Sequence, residues 1–207
     1  LAAGQAQEAI ARLEEGGPRG GAARLRLLAD AYGQTGDPEK RLGCLWRLFE
    51  RGASFETYEE IVELTPAAER DAARERARRI ALAQGEVVAG ARFLLRLGAR
   101  EDAQEMVTAR AGELDGSHYP SLLSLAELAR EADLPLVEVH CCRELLLDIL
   151  RRGQSRAYHH GARYLERLGE LDEMVDEYGA AGDHASFVEA LRAEHGRKRS
   201  FWGRVER

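Results

Sequence analysis

The chain has 207 residues, enough to bury a sizeable core, and 32% of them are charged against 6% aromatic. A net charge of −6 argues against a general nucleic-acid binder, which is usually basic overall. No apolar run approaches the roughly 18–20 residues needed to cross a membrane. Leu, Ala, Arg and Glu recur at helical spacing with few β-branched runs, which points to an all-α protein. The three cysteines, Cys44, Cys141 and Cys142, are an odd number with two adjacent, a pattern that suits buried thiols in a reducing cytoplasm. The sequence starts at Leu1 with no initiator methionine, so the expectation is the C-terminal part of a longer protein.

In chain order, residues 5–15 make a first helix with Ala6, Ala9, Ile10 and Leu13 inward. The glycine-rich run at 16–21 is the most flexible stretch by composition. A helix over 22–34 ends at Gly36, after which Asp37 N-caps the next helix and Pro38 takes its first position. The Tyr32…Gly36-Asp37 handover is similar to that between the two helices of a tetratricopeptide repeat, although Arg41 stands where that repeat has a small residue. Helices over 38–51 and 55–64 follow. Thr65-Pro66 starts another to about 83, and further helices span 86–97, 100–114 and 120–132.

The stretch 133–168 shows the plan most openly. Leu134-Pro135 opens a helix with Val139, Cys142, Leu146, Ile149 and Leu150 on one face. Gly153 breaks it, and a second helix carries Tyr158, Gly161, Leu165 and Leu168 on its inner stripe. Such a pair cannot bury its apolar face alone and needs neighbours stacked on it. The helix from Pro38 is a weak repeat of the one from Pro135: Cys44 aligns with Cys141, and the Arg-Gly stop comes one helical turn earlier. Helices over 171–178 and 183–195 complete the array. The expected architecture is a single domain over 1–207, a right-handed α-solenoid of about a dozen helices in αα-hairpins with tetratricopeptide-like geometry.

Few residues suggest chemistry. His140, Cys141 and Cys142 with His159 and His160 are the densest set of soft ligands, but neighbours on a helix point about 100° apart and do not converge. Cys142 is therefore expected in the core, with no metal at His140, Cys142 and His159. The acidic group Glu170, Asp172, Glu173, Asp176 and Glu177 reads as the solvated face of a short helix. No catalytic residues and no cofactor are expected.

The C-terminal run is distinctive. Residues 192–207 hold six basic and two acidic side chains, so this end carries +4 and the remainder −10. In one reading Gly196 ends the helix while Phe201 and Trp202 cover the last hydrophobic face, a structural cap. In the other, His195, Arg197, Lys198 and Arg199 form a site for an anion or an acidic partner. The tail LRAEHGRKRSFW, with FERGASFETYEEIVEL, MVTARAGELDGSHY and AYHHGARYLERL before it, resembles a family of bacterial α-helical-repeat proteins known only as a domain of unknown function. Similar helical segments follow the zinc finger of SWIM-type proteins, although no finger is present here. The resemblance implies a bacterial cytoplasmic protein with a further N-terminal helical region, and it implies no activity. The expected role is a non-catalytic scaffold that binds another protein or the rest of its own chain. Polyanion or nucleic-acid binding through the tail is the alternative, and an uncharacterised enzyme the third.

Overall fold

A computed structural model describes residues 2–15 and 21–206, so most of the glycine-rich run at 16–21 lies outside the described residues. Among the described residues the protein is all-helical, with twelve α-helices, five 3-10 turns and no strand. The chain divides into two compact units, Leu1–Phe93 and Leu94–Arg207.

The first unit contains Ala2–Glu15 (α1), Ala22–Thr35 (α2), Pro38–Arg51 (α3), Phe55–Leu64 (α4), Arg70–Leu82 (α5) and the start of Val87–Leu97 (α6). Gly36 adopts φ 73°, a left-handed turn in which the Asp37 amide returns to the Tyr32 carbonyl, and the Asp37 side chain then accepts the Lys40 amide. Phe49 is fully buried and meets Phe93 edge-on at 4.9 Å, with Tyr58 5.3 Å from the same ring. Arg41, too large for the repeat pattern at its position, finds room beside Gly33 and pairs with Glu60 at 3.0 Å. Glu60 also takes Arg26, so one carboxylate on α4 joins α2 and α3, and it is held below the usual glutamate pKa because both guanidiniums outweigh its burial.

The second unit contains Arg100–Ala109 (α7), Tyr119–Glu131 (α8), Pro135–Arg151 (α9), Tyr158–Asp172 (α10), His184–His195 (α11) and Arg199–Val205 (α12). Its axis is α9. Every residue from Val137 to Arg143 is buried, so this helix is enclosed on all sides rather than on the one stripe that its spacing suggests. It packs against α7, α8, α10 and the 3-10 turn Gly116–His118. Gly116 sits so tightly on α9 that a Cβ there would lie 2.6 Å from the Glu144 carbonyl oxygen, so no larger residue fits without moving backbone.

Within this enclosure sits Glu138, only 1% exposed. Arg167 on α10 grips it bidentately, Nε to Oε1 and Nη2 to Oε2 both at 2.9 Å, and Arg130 on α8 adds Nη2 to Oε1 at 2.8 Å. Burial alone would raise the carboxyl pKa. The hydrogen bonds from Arg167 and Arg130 outweigh it and hold Glu138 below the usual glutamate range. Nearby, the buried Arg143 guanidinium donates to the carbonyls of Ala181 (2.7 Å), Gly182 (3.1 Å) and Asp183 (3.1 Å) and lies over the Phe187 ring, fastening the segment before α11 to α9.

The structure corrects the sequence reading in two places. Residues 171–178 do not form a separate helix: α10 runs through Gly169 to Asp172, because a helical glycine costs only about 1 kcal/mol while Leu165, Leu168 and Leu171 continue one buried stripe. The acidic group at 170–177 is therefore spread over the end of α10 and an exposed turn. In its place as twelfth helix stands α12, hidden from the sequence reading by its shortness and its basic start.

Arg167→Ala should destabilise the protein by about 3 kcal/mol, because it leaves Oε2 of a buried carboxylate unpaired and only the half-exposed Arg130 to meet its charge. Arg130→Ala should cost less, since Arg130 is 58% exposed and water can replace part of its role. Because Glu138 titrates lower when folded, its contribution is complete above the unfolded pKa of about 4.3 and is lost as pH falls through the folded value. Urea-unfolding midpoints measured against pH should show that acid loss, and Glu138→Gln should flatten it.

Candidate functional site

The tail begins at the N-terminus of α11, where Asp183 accepts the Ser186 amide at 2.8 Å. The helix runs to His195, and the chain turns through Gly196 into α12. Gly196 has ordinary right-handed helical angles. It must be glycine because a Cβ there would lie 2.6 Å from the Arg192 carbonyl oxygen. The His195 carbonyl is the hub of the turn, accepting the Lys198 amide at 3.0 Å and the Trp202 indole N–H at 3.0 Å.

Phe201 and Trp202 turn inward from α12. Phe201 is fully buried, against Tyr158 at 5.8 Å and Trp202 at 5.0 Å, and it fills the space left open by Gly161. Trp202 is 6% exposed and joins a core cluster with Leu168 and Leu191, with Tyr164 packed against it. The Arg192 guanidinium covers its ring at 4.2 Å.

The four candidate anion-site residues do not all come together. His195 is buried; burial holds its pKa below the usual histidine value, and its Nε2 has no hydrogen-bond partner among the described residues. Arg197 and Arg199 are exposed and Lys198 half-buried, and none of the three forms an ion pair among the described residues. Lys198 extends towards the Gly153 turn, its Nζ 3.8 Å from where a Gly153 Cβ would stand. A second basic run, Arg151-Arg152, ends α9 immediately before that turn, although its charges are partly met by Glu144 (3.3 Å) and Asp148 (3.0 Å).

Beside the tail, α10, α11 and α12 enclose a groove of 660 Å³, a volume typical of ligand pockets. Ala162, Val188 and Val205 over the buried Leu165 and Trp202 supply its apolar surface, and Arg163, Arg192 and Arg204 its exposed rim. Arg163 and Arg204 form no ion pair among the described residues, and Arg192 reaches Glu206 only at 3.7 Å. A smaller hollow of 440 Å³ lies between α8, α9 and α10, where Asp148 is already committed to Arg152. The sequence reading missed the groove because its lining comes from three helices up to 46 positions apart (His159 to Val205).

The histidines and cysteines lie apart. Cys142 is in the core cluster, His140 is buried on α9, and His159 is exposed with Nδ1 2.9 Å from the Arg156 carbonyl oxygen. Among the described residues no three His, Cys, Asp or Glu side chains are grouped to hold a metal ion. No helix among them is long and apolar enough to cross a membrane.

Trp202→Ala should lower stability by about 3 kcal/mol, the usual cost of emptying a buried aromatic site, read as a fall in melting temperature. Burial, with Arg143 beside it, lowers the His140 pKa to about 4, so the folded protein keeps this ring neutral. Below the unfolded value of about 6.5 the unfolded chain binds the extra proton, and stability should decline from there down to about pH 4. His140→Leu should remove part of that slope in denaturant titrations across the same window.

No curated protein and no solved structure matches this chain. The sequence model of a family of unknown function, DUF6880, matches residues 1–204, which takes in the first helices as well as the tail. The chain belongs to that family.

Proposed function

We propose that the chain is a non-catalytic helical-repeat module that holds another protein, or the remainder of its own longer chain, in the bacterial cytoplasm. In this reading the helices form a right-handed α-solenoid with tetratricopeptide-like geometry, and HGRK with FW is the mark of the family's closing turn. The likeness of α3 to α9 supports it: each starts on a proline and buries a cysteine six positions later.

The observation that carries the reading is the basic edge. Arg197, Lys198 and Arg199 bear unmatched charge on a turn whose two ends are fixed by the His195 carbonyl and by buried Phe201. Charges held in place lose little freedom on binding, so such an edge favours an acidic partner surface. Gly196, Phe201 and Trp202 act as the cap that also presents this edge.

Substituting both Arg197→Ala and Lys198→Ala should change stability by no more than about 0.5 kcal/mol, as for exposed residues in general. A photo-crosslinking residue at position 199 of the whole protein should capture a protein. Added salt and the Arg197→Glu/Lys198→Glu pair should both abolish that capture. Capture of nucleic acid alone, or of nothing, overturns the reading.

A further inference from the structure

The groove between α10, α11 and α12 differs from the basic edge in chemistry. The edge offers charge alone. The groove offers an apolar surface of Ala162, Val188 and Val205 over the buried Leu165 and Trp202, with cationic walls of Arg163, Arg192 and Arg204. Among the described residues Glu166 is the one acid in its lining, so the walls keep an excess of positive charge. Residues 1–191 carry −10 in all, so this cationic hollow stands out on an acidic chain.

From this geometry we infer that the groove binds a short acidic peptide segment of a partner protein, one that carries a large aliphatic or aromatic side chain among its carboxylates. The inference rests on the reading of the chain as a protein-binding module and names the chemistry of what it holds. The apolar side chain lies against Val188 and Val205, beside the Trp202 edge. Its flanking carboxylates reach Arg163 and Arg204, whose guanidiniums donate to two oxygens at once in fork geometry. The long Arg192 to Glu206 contact of 3.7 Å between exposed side chains is a weak pair that a partner carboxylate displaces.

A nucleic acid fits this groove less well. Binding of single strands depends on bases stacking on an open aromatic face. Here the Trp202 face is occupied by the Arg192 guanidinium at 4.2 Å, and the remaining apolar side chains are aliphatic. A phosphate backbone would satisfy the arginines and leave Val188 and Val205 uncovered.

The chain has two tryptophans, Trp46 and Trp202, so in a Trp46→Phe background the fluorescence comes from the groove wall alone. The probe is a fluorescein-labelled peptide of glutamates and aspartates around a leucine–phenylalanine pair. Controls are the same peptide with glycines for that pair, the same peptide with lysines for the acids, and a single-stranded oligonucleotide of equal charge. The expected result is saturable binding of the acidic apolar peptide, seen in Trp202 emission and weakened by salt. It should be at least about tenfold tighter than any control, and reduced at least about tenfold by Arg163→Glu/Arg204→Glu. If Trp46→Phe fails to fold, anisotropy of the labelled peptide on the unsubstituted protein supplies the same titration. Binding indifferent to the Arg163/Arg204 pair, equal binding of the oligonucleotide, or no saturable binding each overturns the inference. Protein capture at position 199 without groove-dependent peptide binding removes this inference and leaves the module reading standing. Groove-dependent peptide binding without capture at position 199 supports this inference and removes the basic edge as the place of contact.

Discussion

The second unit depends on one carboxylate. Glu138 sits on a helix surrounded by protein, and it is tolerable there only because α8 and α10 each bring an arginine to it. The constraint is geometric as well as energetic. A bidentate arginine accepts little rotation, so the grip of Arg167 fixes how α10 lies along α9. The close fit of Gly161 against Leu146 and Phe201 works to the same end, since a shift of one turn would bring a larger side chain into that space. The register of the tail follows, because Tyr158, Gly161 and Leu168 on α10 are what Phe201 and Trp202 pack against.

Much of the helical plan is legible in the sequence, for identifiable reasons. Helices α3 and α4 have the limits their caps dictate, since Asp37-Pro38 and Ser54 each supply a physical start and Gly52 a stop. The reading went astray where punctuation and packing disagree. Gly169 looks like a boundary, but Leu171 is buried two positions later and the helix continues to cover it. Helix α12 gave no periodic signal because seven residues hold too few repeats of the pattern.

The candidate site was legible only in part. The basic run at 197–199 is visible as composition. That His195 would turn inward away from it follows from three-dimensional packing that no spacing reveals. Glu138 and Arg143 carry no mark in an amphipathic pattern, which places charged residues on the solvent face. The signal that separates α9 was present, since Val137 and Cys141 are apolar positions off the main stripe, which marks a helix enclosed on every side. Charged residues on such a helix are either paired or destabilising, so they are the ones to examine first.

The His195 carbonyl, which takes both the Lys198 amide and the Trp202 indole, makes the tail a matter of length more than of composition. The indole lies seven positions beyond its acceptor, and that interval is spanned by one tight turn and the start of α12. Side chains at 197, 198 and 199 take no part in the span, since the His195 carbonyl, the Lys198 amide and the Trp202 indole close it. Inserting or deleting a single residue between 196 and 200 would rotate α12 by about 100° and carry Trp202 out of reach of its carbonyl. The interval therefore acts as a ruler, and the closing turn keeps its shape only at this length.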